Sequence, residues 1–143
     1  MTDGRTEGEP RSHAICVVDD DPWVLDSLSV LLKTLGFDVL TFNSGAELMA
    51  DQRRRSVSCV IVDHHMPGLS GLDVIEALRR EGNSVPTILI TGRSDAGIAQ
   101  RAVQFGVAAT LEKPFSTTRL VELIRAGQGR PEPEGSAEMP RGD

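Results

Sequence analysis

The feature that most constrains this chain is a series of short apolar runs, rich in β-branched residues and each ended by a polar or turn residue. They are Ala14-Ile15-Cys16-Val17-Val18, Cys59-Val60-Ile61-Val62 and Thr87-Ile88-Leu89-Ile90. Continuous apolar runs of this length, bounded by turn signals, read as strands buried on both faces. Helical patterns lie between them. After the first run, Asp21 can cap a helix with Pro22 at its first position, and Leu25, Leu28, Leu32 and Leu35 recur at helical spacing as far as Gly36. Phe37 to Phe42 reads as a second strand, and Ser44 caps a short helix through Glu47, Leu48 and Met49. The third strand runs into Asp63. A turn-rich loop from His64 to Gly71 then leads to a helix with Leu72, Ile75 and Leu78 inward, ended by Gly82 and Asn83.

The fourth strand reaches Thr91, and a helix from about Asp95 to Phe105 buries Ile98, Ala102 and Phe105. Gly97 weakens that helix by about 1 kcal/mol relative to alanine, so it is expected to be the loosest. Val107 to Leu111 makes a fifth strand, Lys113-Pro114 a turn, and Ser116 caps a last helix with Leu120, Leu123 and Ile124 inward. Strands alternating with helices predict an α/β fold, a parallel sheet covered on both faces, in which ligands bind beyond the carboxyl ends of the strands.

At 143 residues the chain is about one domain, but its ends differ from its middle. Residues 1–12 and 127–143 are polar and rich in Gly, Pro and charge, so both are expected to be disordered tails around a body at residues 13–126. That leaves no room for a second folded output domain, and a stand-alone domain is expected. A net charge of -6 argues against direct binding of nucleic acid. The one basic run, Arg53-Arg54-Arg55, is expected to be a solvated loop. No apolar stretch approaches the roughly 18 residues of a membrane span and no secretory pattern opens the chain, so a cytoplasmic protein is expected. Cys16 and Cys59 sit inside strands without zinc-site or redox spacing and read as buried thiols.

Five polar residues fall at the carboxyl edge of the sheet: Asp19, Asp20, Asp63, Thr91 and Lys113. Taken singly, each has an ordinary structural explanation. Asp19-Asp20-Asp21 suits a helix-capping turn, Asp63 a turn, Thr91 a strand end and Lys113 a surface. Their coincidence at one edge is what points to chemistry, and Lys113 is one of only two lysines among 15 basic side chains. Three converging carboxylates repel one another unless a pKa rises or a divalent cation binds. With no Cys or His pair at ligand spacing, the expected cofactor is Mg²⁺ or Mn²⁺. A carboxylate beside such an ion can attack phosphorus, while a lysine and a hydroxyl orient the transferring oxygens.

These residues resemble a known family. The runs Val17-Val18-Asp19-Asp20-Asp21-Pro22, Ile61-Val62-Asp63 with His64-His65-Met66-Pro67-Gly68-Leu69-Ser70-Gly71, Ile90-Thr91-Gly92 and Glu112-Lys113-Pro114-Phe115 are similar to the receiver domain of two-component response regulators, all in family order. The resemblance implies a flavodoxin-like, doubly wound five-stranded parallel sheet, order 2-1-3-4-5, with five helices. It implies that Asp63 is phosphorylated by a partner sensor histidine kinase or histidine phosphotransferase. Asp20 would ligate the metal directly, Asp19 largely through water, with Asp63 and the His65 carbonyl completing the protein ligands. Thr91 would follow the phosphoryl group during switching, Lys113 would pair with it, and Lys113-Pro114 would be a cis peptide. Such a protein signals to a downstream protein target by contact, through the fourth helix, fifth strand and fifth helix, where it can also form a homodimer. It would catalyse only its own phosphorylation and dephosphorylation.

The chain departs from that pattern at Thr110, where receivers usually carry Phe or Tyr, which bears on how the switch is reported. His65 and Arg93 match positions flanking the path of attacking water, and are expected to shield the phosphoryl group. Two other readings stay open: a small phosphohydrolase with an aspartyl nucleophile, against which stands the lack of a cap domain, and a receiver-like binding module that is not phosphorylated.

Overall fold

The structure, a computed structural model, describes residues 14–93 and 95–128. The tail expected at 1–12, and the greater part of the one expected at 127–143, lie outside the described residues. Five parallel strands form one sheet in the order β2-β1-β3-β4-β5: β1 (Ala14–Val18), β2 (Asp38–Phe42), β3 (Cys59–Asp63), β4 (Thr87–Thr91) and β5 (Ala109–Glu112). Among the described residues there are five α-helices, four of them between consecutive strands, α1 (Pro22–Thr34), α2 (Gly45–Ala50), α3 (Gly71–Arg80) and α4 (Ala96–Gln104), and one after β5, α5 (Thr117–Gln128). The fold class, strand order and helix count expected from the sequence are all present.

Why the central strands read so clearly is visible in their burial. Every residue of β1, β3 and β4 is buried, because helices cover both faces. On one face Leu28 and Leu32 of α1 and Leu120 and Ile124 of α5 pack on Ile15, Val17, Ile61, Ile88 and Ile90. Across the sheet Leu48 of α2, Leu72, Ile75 and Leu78 of α3 and Ala102 of α4 pack on Cys16, Val18, Val60, Val62 and Leu89. A fully buried Leu or Ile of this kind contributes about 1.5–3 kcal/mol. Cys16 and Cys59 belong to opposite faces, so the sheet itself separates them. Burial pushes both thiols well up, and they act as apolar filler.

The Arg53-Arg54-Arg55 run departs from expectation. Instead of a solvated loop, Gln52–Arg55 forms a 3₁₀ turn in which Arg54 is only 7% exposed and grips Glu81 through two hydrogen bonds, at 2.7 and 3.0 Å. Burying a guanidinium requires such a partner, and Glu81 at the end of α3 is it.

Candidate phosphoryl-transfer site

The acidic triplet divides its labour. Asp21 is the N-cap of α1, accepting a hydrogen bond from the Trp23 amide at 2.9 Å, with Pro22 opening the helix. Asp19 and Asp20 are thereby left to the site. Asp19 is buried, one oxygen accepting from the Asp21 amide at 2.9 Å, while its Oδ2 is buried with no hydrogen-bond partner. Asp20 stands exposed at the mouth. Asp63 ends β3, 2% exposed, and the next amide pairs with the Ile90 carbonyl at 2.8 Å, which holds the carboxylate at the edge. One oxygen from each of Asp19, Asp20 and Asp63 lies within 4.8 Å of the others.

Lys113 follows β5 and its backbone amide donates to the Thr91 carbonyl at 2.9 Å. The Lys113–Pro114 peptide is cis. Lys113 Nζ stands 3.0 Å from Asp63 Oδ1, a charge contact without aligned hydrogen-bond geometry. Thr91 is buried at the end of β4, and its hydroxyl makes a long 3.5 Å contact to the Leu111 carbonyl. Thr110 sits half-buried on β5 opposite Leu89. The His64 carbonyl accepts the amides of Met66 and Gly71, whereas that of His65 accepts no backbone amide among the described residues.

Electrostatics mark the same spot. Burial, reinforced by Asp63 and Asp20, pushes the Asp19 carboxyl up to about 6, although the Asp21 amide and Lys113 pull the other way. Burial opposes the Lys113 charge, but contact with Asp63 and the attraction of Asp19 and Asp20 outweigh it and hold the ammonium above its usual range. An all-oxygen donor set with an orphaned buried oxygen fits a hard divalent cation, and suits no thiophilic one.

Because the folded pKa of Asp19 is raised, the native state binds more protons than the unfolded chain between about pH 4 and 6, and metal-free stability falls as pH rises through that window. At neutral pH the penalty is about 1–2 kcal/mol once solvent at the mouth is allowed for. Asp19→Asn is therefore expected to raise the metal-free melting temperature at pH 7.5 by about 4–8 °C and to change it little at pH 3.5. Thermal denaturation at the two pH values in a chelator checks this, and an equal gain at both would contradict it.

Two residues that matter here were not singled out from sequence. Asp95 precedes α4 as a helix N-cap would, yet makes no side-chain cap bond. Its Oδ2 instead accepts the Gly92 amide at 2.7 Å and meets His65 Nε2 at 2.6 Å. The Gly92 hydrogen bond and the His65 ring hold its carboxyl below the usual range. Gly71, the first residue of α3, lies against the end of β3 so closely that no side chain fits. Neither role leaves a clear local signal, because the His65 partner of Asp95 lies 30 residues away and the clash at Gly71 exists only once α3 packs on the end of β3. The His64 and His65 rings meet edge-on with centroids 5.1 Å apart but take different partners, His64 Nδ1 accepting from the Leu72 amide at 3.4 Å and His65 Nε2 meeting Asp95. Arg93 is 85% exposed and meets Glu112 at 3.7 Å, while His65 alone of the two expected shields reaches across the site's mouth.

The chain is similar to known proteins in sequence and fold. The sequence profile of the response regulator receiver domain matches residues 15–125. The chain is 37% identical over 116 residues to the response regulator protein TodT of Pseudomonas putida, covering 81% of this chain and 51% of that one. It is 34% identical over 134 residues to the transcriptional regulatory protein FixJ of Azorhizobium caulinodans, covering 94% of this chain and 64% of that one. A crystal structure of a response regulator receiver domain protein from Clostridium thermocellum superposes with a TM-score of 0.75 at 29% identity, over 82% of this chain and 94% of that one. The chain thus spans about half to two thirds of the length of these curated relatives.

Proposed function

Because the chain belongs to the response regulator receiver domain family, we propose that it is a phosphorylation-dependent signalling switch whose Asp63 accepts a phosphoryl group from a phosphohistidine on a partner kinase or phosphotransferase. The observation that carries this reading is a buried carboxylate, Asp63, held among two further carboxylates with a lysine ammonium 3.0 Å from its oxygen. In the transfer an Asp63 oxygen forms a bond to phosphorus as the P–N bond to the donor imidazole breaks, and the ring departs with its electron pair and takes up a proton. The product is an acyl phosphate. Water later adds at phosphorus, the bond to the Asp63 oxygen breaks, and carboxylate and inorganic phosphate are regenerated.

The remaining residues take roles from their positions. Asp19, Asp20, Asp63 and the His65 carbonyl would hold Mg²⁺ or Mn²⁺, which when bound supplies the positive charge that offsets the carboxylates and the incoming oxygens. Lys113 balances the charge of the phosphoryl oxygens once they replace its contact with Asp63. The Thr91 hydroxyl, now against Leu111, swings to donate to the phosphoryl group, which biases the loop after β4 and the start of α4. The signal leaves by protein contact through α4, β5 and α5, toward a downstream target or a second copy. Among the described residues no helix is long and apolar enough to cross a membrane, and a cytoplasmic site of action fits a kinase partner there.

Intact mass of the wild-type chain and of Asp63→Asn, after incubation with acetyl phosphate with and without Mg²⁺, tests the proposal. A single phosphoryl adduct that needs both Asp63 and Mg²⁺ is expected. No adduct, even from a panel of phosphohistidine proteins, would instead favour a binding module, and steady turnover of free phosphate esters would favour a hydrolase.

A further inference from the structure

We propose that Asp95 is a positioning residue that, by gripping His65 and Gly92 at once, clamps the two loops flanking Asp63 and narrows the mouth of the phosphorylation site; the functional part of this rests on the proposed chemistry at Asp63. His65 lies two residues beyond Asp63 and Gly92 one beyond Thr91, and β3 and β4 are neighbours with Asp63 in register with Ile90. A bridge from His65 through Asp95 to the Gly92 amide therefore crosses over the carboxyl ends of both strands. Asp95 also donates its own amide to the Gly92 carbonyl at 3.1 Å, so the turn is closed from both directions.

Three observations point to the loops, and not the helix, as the object of this carboxylate. An aspartate just before a helix ordinarily accepts from the amides of its first turn, and α4 goes without that bond. The Asp95 side chain is only 10% exposed although His65, its partner, is 59% exposed, so the buried end of the bridge is the anchored one. The bridge lies directly over Gly92: a Cβ there would stand in ordinary van der Waals contact with both partners, 3.4 Å from Asp95 Oδ2 and 3.6 Å from His65 Nε2. On the other flank Arg93 leans to Glu112, leaving His65 as the side chain tied across the opening.

A clamp of this kind controls access. Opening it admits water to the acyl phosphate and equally admits a small phosphoryl donor to Asp63, so hydrolysis and phosphorylation accelerate together. Damage to the site itself would slow both. His65→Ala and Asp95→Ala each keep the backbone carbonyl of residue 65, and each is expected to raise both rates about 5- to 30-fold, the change that loss of a charge-assisted hydrogen bond produces. The double variant should go no further than either single, because both remove one bridge. His65→Gln, which retains a side-chain N–H, should return toward wild type.

The experiment follows acetyl phosphate labelling and adduct decay in Mg²⁺ for these variants of the full chain, together with hydrogen exchange at the Gly92 amide. Rates that are unchanged or slowed in either single variant, or multiplied in the double, overturn the clamp. If the wild-type chain takes no adduct, the chemistry at Asp63 has failed and the clamp is judged by exchange alone: a Gly92 amide protected in wild type and exposed in Asp95→Ala supports it, and equal exchange overturns it.

Discussion

Gly71→Ala is expected to destabilise the protein by about 2–4 kcal/mol and to lower the rate of phosphorylation at Asp63 at least tenfold, from a single added methyl group. A Cβ at this position would stand 2.6 Å from the Asp63 carbonyl oxygen, 2.7 Å from Leu89 Cδ1 and 2.8 Å from His64 Cα. The leucine can turn aside. The two backbone atoms cannot, since they belong to the end of β3 and are held there by the His64 amide bond to Ile90 and the Gly71 amide bond to the His64 carbonyl. Relief must come by moving α3 away from β3 or by bending the strand end, and either displaces the carboxylate that the chemistry needs. Intrinsic propensity pulls the opposite way, because alanine favours a helix over glycine by about 1 kcal/mol, so the clash decides the sign. Gly97 in α4 is the matched control: nothing lies within 4 Å of its Cβ position, and Gly97→Ala should stabilise by about 0.5–1 kcal/mol. Denaturant unfolding of both variants, with the labelling rate of the first, checks the pair. A Gly71→Ala protein as stable as wild type would mean that the α3 and β3 contact is softer than its geometry.

The strands at the centre of the sheet were legible because their burial on both faces leaves unbroken apolar runs in the sequence. At the edges the signal thins. β5, expected to begin at Val107, begins at Ala109, since an edge strand has one neighbour and Val107 is only half-buried beside α4's end. β2 begins at Asp38, one residue later than its apolar run. The last helix continues to Gln128, two residues beyond the expected domain limit at Ala126.

The candidate site was legible for a topological reason. In a parallel sheet every strand ends at the same edge, so polar residues that close apolar runs fall there: Asp19, Asp20 and Asp63 converge with Lys113, and Thr91 ends the neighbouring strand β4. What sequence left open was the role of each member of the acidic triplet, which depends on a backbone turn that hands the helix cap to Asp21 alone. Asp95 and Arg54 were hidden for another reason. Their partners lie 30 and 27 residues away, and a charge read along the chain looks solvated until the fold supplies its counterpart.

Arg54→Ala carries the second large effect, expected at about 2–4 kcal/mol of lost stability with no change in chemistry at Asp63. The guanidinium binds both Glu81 oxygens and donates to the Asp51 carbonyl at 3.0 Å, while the Arg54 carbonyl accepts from Asn83, whose own Oδ1 accepts the Val85 amide. This network ties the turn before β3 to the end of α3 and the approach to β4, at the amino edge of the sheet, opposite the carboxylates. Removing the arginine leaves Glu81, 23% exposed, without this guanidinium, and the Asp51 carbonyl keeps only the amide of residue 54, at 3.2 Å, as a donor. Lysine cannot replace the fork, so Arg54→Lys should recover only part of the loss. Arg53→Ala, which removes a 62% exposed side chain, should cost far less than Arg54→Ala. The pH dependence has a definite sign. Contact with Arg54 holds the Glu81 carboxyl below its usual 4.5, so the stabilisation is full above that pH and is lost as pH falls through the lower folded value. The gap between wild type and Arg54→Ala, measured by urea unfolding, should therefore be widest at neutral pH and narrow on acidification. A gap that stays constant down to pH 3 would assign the loss to packing of the arginine stem instead of to the ion pair.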